Sequence, residues 1–211
     1  MRVPRAEVRT RVRVPMRFHD GFATDATMVT FTGLVDGREH VAIGLGPTCE
    51  EPLVRLHSEC LTGDVLGSQR CDCGAQLREA VERIGEHGGW LLYLRQEGRG
   101  IGLYAKIDAY ALQDQGLDTY DANLALGYRA DGRDYTVAAQ MLHALGEPGI
   151  SLLSNNPDKA DQLERLGVDV RHRVPTGVHL SAGNARYLAT KARRGAHTLD
   201  LDGVVASSFW A

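Results

Sequence analysis

Trp90-Leu91-Leu92-Tyr93-Leu94 runs directly into Arg95-Gln96-Glu97-Gly98-Arg99-Gly100-Ile101-Gly102-Leu103. Five apolar residues without alternation are the pattern of a strand covered on both faces, which belongs inside a sheet with helices around it. The glycines mark a turn, and residues 103–115 read as a helix that ends at Gly116. Strand, glycine turn and helix N-terminus together aim backbone N–H groups and a helix dipole at one point, where an anion is favoured. Arg95 and Arg99 stand beside it, and guanidinium groups grip phosphate bidentately. The stretch is not a P-loop, because no G-x-x-x-x-G-K-[ST] occurs. It also misses the dinucleotide fingerprint, since Leu103 holds the place of the third glycine. A tight turn with solvated arginines is the competing reading.

Upstream, residues 8–14, 28–35, 39–45 and 53–58 are short, rich in Val, Ile, Leu and Thr, and separated by turn signals such as Asp36-Gly37. They predict an N-terminal antiparallel β sheet or small barrel. Leu77, Ala80, Val81 and Ile84 then recur at helical spacing until Gly88-Gly89. Downstream, Asp118-Thr119 opens a further segment, Thr136 to Leu145 reads as a helix stopped by Gly146, and Ile150 to Leu153 as a strand. Asn155-Asn156-Pro157-Asp158 is a helix start, with Asn at the N-cap, Pro in the first turn and an acid beside the dipole. That helix ends at Gly167 and the strand Val168–Val174 follows, a strand–helix–strand unit that predicts a parallel pair. A last helix is expected around 184–194, and the tail 201–211 shows no periodicity. The fold class is therefore α+β or mixed α/β, in one catalytic domain spanning 1–211.

The chemistry-bearing residues centre on Arg55-Leu56-His57-Ser58-Glu59-Cys60 and Cys71-Asp72-Cys73. Three soft ligands are one fewer than a closed structural zinc site uses, so the trio fits a catalytic Zn²⁺ with a position left for water. The alternative is reduced cysteines buried as small hydrophobes. Three thiolates on Zn²⁺ leave the unit formally −1, so the metal polarises its water less than one held by neutral histidines. Glu59, Asp131 and Tyr110 are available to assist. H-x-E at 57–59 is shared with zinc deaminases, but their P-C-x-x-C is missing. Cys49 lies too far along the chain to join the trio. Ser154 to Lys159 forms a second candidate anion site; a lysine in a first helical turn opposes the dipole unless it neutralises something negative.

Composition narrows the partners. Hydrophobic residues make up 43% and charged residues 24%, ordinary for a globular protein, and the formal charge is −3. Nothing there argues for nucleic acid, so any anion site must be built locally. No apolar run approaches the ~20 residues of a membrane span. Arg2, Arg5, Arg9, Arg11, Arg13 and Arg17 could be read as a transit peptide, but Glu7 and Asp20 interrupt them. Val8, Val12 and Val14 alternate with the arginines, the pattern of a half-exposed strand with a basic outer face. A cytoplasmic enzyme is expected.

The assembled motifs resemble one family, GTP cyclohydrolase II. The likeness runs through R-x-H-S-E-C-L-T-G-D at 55–64, R-C-D-C-G-x-Q-L at 70–77 and Y-L-R-Q-E-G-R-G-I-G-L at 93–103. It continues in K-x-x-A-Y-A-L-Q-D-Q-G at 106–116, D-T-Y-D-A-N at 118–123 and N-N-P-x-K ending at Lys159. It covers roughly residues 50–200 in order. The resemblance implies hydrolysis of GTP to formate, pyrophosphate and 2,5-diamino-6-(5-phospho-ribosylamino)pyrimidin-4(3H)-one, the first committed step of riboflavin biosynthesis. Cys60, Cys71 and Cys73 would hold the zinc whose water attacks C8 of guanine. Arg55, Leu56, His57, Ser58, Glu59, Gln76, Glu97, Gly98, Arg99, Thr119, Ser154 and Lys159 fall on GTP-contacting positions. Asp131 falls on the proposed proton acceptor, Arg133 on the proposed nucleophile toward the α-phosphorus, and Tyr110 on the tyrosine assisting ring opening. Mg²⁺ would accompany the triphosphate, and a homodimer is expected. The family usually has threonine where this chain has Ser154; the hydroxyl is retained. No fused upstream domain of the kind some members carry is expected, because the sheet begins almost at Met1. Three alternatives stand beside this reading: a variant releasing the formylated pyrimidine nucleotide, a nucleotide sensor with structural zinc, and a zinc nucleoside deaminase.

Overall fold

The computed structural model describes residues 3–181, 183, 184 and 188. Its frame is one seven-stranded mixed sheet in the order β1-β2-β3-β5-β4-β6-β7. The strands are β1 (Glu7–Arg17), β2 (Ala23–Thr32), β3 (Val41–Leu45), β4 (Leu53–Ser58), β5 (Gly89–Leu94), β6 (Gly149–Leu153) and β7 (Asp169–Val174). The helices are α1 (Cys73–His87), α2 (Leu103–Asp114), α3 (Thr119–Ala125), α4 (Thr136–Leu145) and α5 (Pro157–Arg165). The mixed α/β expectation holds, and the sheet is open rather than closed into a barrel.

β1, β2, β3 and β5 pair antiparallel, while β5, β4, β6 and β7 run parallel. The strand at 53–58 thus leaves the antiparallel wing and lies between β5 and β6. Leu53 through His57 are all buried, so β4 needs cover on both faces, which the centre of the sheet supplies. In β1 the arginine face is exposed as expected, but Val12 is exposed as well. A register shift between Val8 and Thr10 interrupts the pairing there.

Two apolar layers sandwich the sheet. Val54, Leu56, Leu92, Ile150 and Leu152 pack against α4 and α5 through Met141, Leu142 and Leu163. Leu53, Leu91 and Leu153 pack on the other face against Ala80, Val81 and Ile84 of α1. Each fully buried Leu or Ile contributes about 1.5–3 kcal/mol relative to exposure. Local signals set the helix ends. Gly146 closes α4 in the left-handed conformation, and the Asn156 side chain accepts from the Asp158 N–H at 3.0 Å to start α5. The helix expected at 184–194 and the tail from 201 lie outside the described residues.

Because β4, β5 and β6 are parallel, their C-terminal ends emerge at one edge. Glu59-Cys60, Arg95–Gly100 and Ser154–Lys159 start from that edge. In open α/β sheets the crevice outside these ends is where ligands bind.

Candidate active site

The loops from that edge enclose a cleft of about 1090 Å³, its open mouth included, lined by residues of every motif named above. Cys60 follows β4, and Cys71 and Cys73 sit at the start of α1. Their three sulfurs lie within 4.8 Å of one another, the one such group of metal-ligating side chains among the described residues. A π-helical turn, Leu61–Val65, wraps them. A Cβ on Gly63 would sit 2.8 Å from the Cys71 sulfur and 3.1 Å from that of Cys60, so only glycine lets the turn close over the cluster. Hydrogen bonds from the Cys71 and Cys73 thiols, with help from Lys106, hold the Cys60 thiol far below its usual range. The bond to Cys60 pushes Cys71 up to about 11, and Cys73 is raised well above the ordinary value for the same reason. Three sulfurs this close cannot all ionise unaided, and a dication among them would remove the repulsion. The donor set, its spacing and the glycine cradle fit Zn²⁺.

Around the sulfurs the polar groups are tied to one another. Lys106 Nζ donates to Cys60 Sγ at 3.1 Å and to Glu97 Oε1 at 2.7 Å. Glu97 also accepts from the Leu61 and Gly98 N–H groups at 2.7 and 2.9 Å. The Tyr110 hydroxyl lies 3.2 Å from Thr62 Oγ1, and Arg70 stacks on its ring while pairing with Asp114 at 2.7 Å. Burial raises the Tyr110 pKa against the opposing pull of Thr62 and Lys106, so it remains a phenol. His57 is buried on β4 with Nε2 3.0 Å from Asp64, which also accepts from the Tyr93 hydroxyl at 2.9 Å and the Cys60 N–H at 3.0 Å. Burial lowers the His57 pKa despite Asp64, which keeps the imidazole neutral.

The cations converge on the same cleft. Arg99 lies at left-handed φ 61° between Gly98 and Gly100, its guanidinium 4.1 Å over the Tyr120 ring, and its Nη1 is buried without a protein partner. Lys159 is 5% exposed and donates to the Leu56 carbonyl at 2.7 Å. Arg133 is clamped by Asp131, with Nε 2.9 Å from Oδ1 and a second short bond from Nη2. Burial opposes the Asp131 charge, but Arg133 and Arg99 more than offset it and hold the carboxyl below its usual value. Arg55 donates to the Leu153 carbonyl at 3.0 Å and to Gln76 at 2.6 Å, and Gln76 donates to Asp72.

Of the residues singled out from sequence, the three cysteines, Arg55, His57, Ser58, Glu59, Gln76, Glu97, Gly98, Arg99, Tyr110, Thr119, Arg133, Ser154 and Lys159 all line the cleft. Two do not. The Leu56 side chain is fully buried in the apolar core, because strand alternation turns it to the opposite face from Arg55 and His57. Asp131 pairs with Arg133 and is not itself on the lining. Arg95, placed beside the glycine turn in sequence, pairs with Glu59 at 2.9 Å instead of joining Arg99. Cys49 is held near the Gly88 carbonyl, away from the trio. Sequence reasoning missed Lys106, Asp64 and Thr62. The spacing of Lys106 and Tyr110, one helical turn apart on the same face, was the available signal.

The family model of GTP cyclohydrolase II matches residues 8–175. GTP cyclohydrolase-2 of Vibrio cholerae is 52% identical over 199 residues, covering 93% of this chain and all of that protein. The Psychromonas ingrahamii protein of the same name is 46% identical over 194 residues, 90% of this chain and 97% of its own. The riboflavin biosynthesis protein RibBA of Bacillus subtilis is 53% identical over 173 residues, 80% of this chain and 44% of its own length. The chain belongs to the GTP cyclohydrolase II family of enzymes.

Proposed function

We propose that this chain opens the imidazole ring of GTP at guanine C8 and releases formate and pyrophosphate. The product would be 2,5-diamino-6-(5-phospho-ribosylamino)pyrimidin-4(3H)-one, at the entry to riboflavin biosynthesis. The observation that supports this most is a single cleft holding both a three-sulfur cluster and buried guanidinium and ammonium groups. The name of the Bacillus subtilis relative supports the riboflavin assignment. Cys60, Cys71 and Cys73 would hold Zn²⁺, which supplies Lewis acidity for the attack of water on an electron-poor carbon.

The reaction consumes one water to open the ring to a formamide, a second to release formate, and a third at the α-phosphorus to free pyrophosphate. Tyr110, kept protonated at its hydroxyl, is suited to hand a proton to ring nitrogen as its bond to C8 breaks. Arg99 and Lys159 would take the triphosphate together with Mg²⁺. Arg133, fixed in place by Asp131, suits phosphate anchoring better than nucleophilic attack, because a guanidinium is too basic to give up its proton. Asp131 then acts as the group that orients Arg133. His57, neutral and held by Asp64, would orient the substrate as an uncharged partner. The active form is proposed to be a homodimer, without nucleic acid or membrane partners. Among the described residues no helix is long and apolar enough to cross a membrane.

Incubation of the purified protein with GTP, Zn²⁺ and Mg²⁺, followed by mass spectrometry, tests the reading. Formate, pyrophosphate and the deformylated pyrimidine are expected. A formylated pyrimidine nucleotide as end product would mark the truncated reaction. Xanthosine triphosphate with ammonia would mark a deaminase, and unchanged GTP would contradict the proposal.

A further inference from the structure

A three-thiolate zinc unit carries a formal charge of −1, which weakens the metal as a Lewis acid. The structure contains a buried cation placed against that charge. Lys106 is 8% exposed and its ammonium lies 3.1 Å from Cys60 Sγ. Burying a lysine is costly unless it is paired, and here the pairing is built from several sides. Glu97 Oε1 holds the ammonium at 2.7 Å, and Glu97 is itself fixed by the Leu61 and Gly98 N–H groups. A Cβ on Gly98 would meet Lys106 Cβ at 3.0 Å, so the glycine turn gives the lysine stem room to reach inward. The Tyr110 ring lies 5.7 Å from Nζ and covers the cation from a further side.

We propose that Lys106 is the counter-charge of the thiolate centre. Aimed by Glu97, it donates a charge-assisted hydrogen bond to the Cys60 sulfur and offsets part of the charge that the three thiolates place on the metal. A sulfur that accepts a charge-assisted hydrogen bond gives less electron density to the metal, and the metal polarises its remaining ligand more strongly. Lys106 is thus a positioning and tuning residue that acts on the metal through Cys60. The inference rests on the reading that the three cysteines hold the metal.

Cobalt in place of zinc reports sulfur donation directly, through the near-ultraviolet sulfur-to-metal charge-transfer band. Wild type, Lys106→Met, Lys106→Arg and Lys106→Gln are reconstituted with Co²⁺, with folding checked by circular dichroism. In Lys106→Met the Cys60 lone pair rises in energy when it loses the N–H donor, so the band moves to longer wavelength at unchanged metal stoichiometry. Lys106→Arg, which keeps charge and donor, returns the band toward wild type. GTP ring opening by zinc-loaded Lys106→Met falls about 10–100-fold, the usual cost of losing a partner of a metal ligand, and Lys106→Arg recovers part of it. If Lys106→Met does not fold, Lys106→Gln carries the test with an intermediate shift. An unmoved band in the folded neutral variants, even with activity lost, would make Lys106 only a partner of Glu97 and overturn the inference. No charge-transfer band in wild type would overturn the metal reading itself, and this inference with it.

Discussion

β1 presents Arg9, Arg11 and Arg13 to solvent and pairs antiparallel with β2, whereas β6 buries all five of its residues and pairs parallel on both sides. The two halves of the sheet are continuous, joined through β3 and β5, yet every residue lining the cleft comes from β4 onward. Direction explains the difference. Antiparallel strands send successive chain ends to opposite edges, so their loops cannot gather. Three parallel strands deliver three loops to one edge, and the sulfur trio, the glycine turn and the Asn-Pro helix start meet there. The antiparallel wing extends the core; the parallel heart concentrates chemistry.

Substitutions should separate the two halves. The largest effect is expected for Arg133→Gln, which removes a cation aimed into the cleft. kcat/KM for GTP should fall about 10²–10³-fold, as for loss of one preorganised group that stabilises transition-state charge, with little change in melting temperature. Next is Gly63→Ala, whose methyl would collide with two sulfurs. Overpacking of about 1–3 kcal/mol at that point should appear as weakened metal affinity in a chelator competition. In the wing, Val29→Ala removes fully buried methyl groups. It should lower stability by about 1–2 kcal/mol in urea titrations and leave kcat per folded molecule unchanged. A large loss of kcat there would break the division of labour.

The smallest effect concerns pH. The Asp131 carboxyl is depressed in the folded state, so the stability of its clamp on Arg133 is present above the unfolded carboxyl pKa of about 3.9. It is lost only as pH falls through the lower folded value. The Arg133 Nε–H resonance should therefore hold its position from pH 5 to 8 and move only in acid. A midpoint near neutrality would contradict the clamp.

Much of this was legible in the chain, for local reasons. Gly146 fixed the end of α4, Asn156-Pro157 the start of α5, and the unbroken apolar run at 90–94 a buried strand. The cysteine trio was visible because its three residues lie close in sequence. Other features depended on packing. Nothing local says that 53–58 will insert between β5 and β6, since strand order is a property of the whole sheet. Glu97 lines the cleft, and nothing local says that its carboxylate will also be engaged by Leu61, Gly98 and Lys106. Lys106 reaches Cys60 across 46 residues of sequence, a contact that exists only once α2 lies beside the turn at 61–65. Leu56 sits in the most conspicuous motif, and strand alternation nevertheless turns its side chain to the core.

Cys60 joins the two claims on which the account depends, the metal and the ring opening. The most direct measurement is zinc content and formate release from GTP, determined on the same preparations of wild type and Cys60→Ser. The account predicts one zinc per wild-type chain with formate released, and loss of both together in a variant that remains folded. A Cys60→Ser protein with full zinc and full formate release would contradict it.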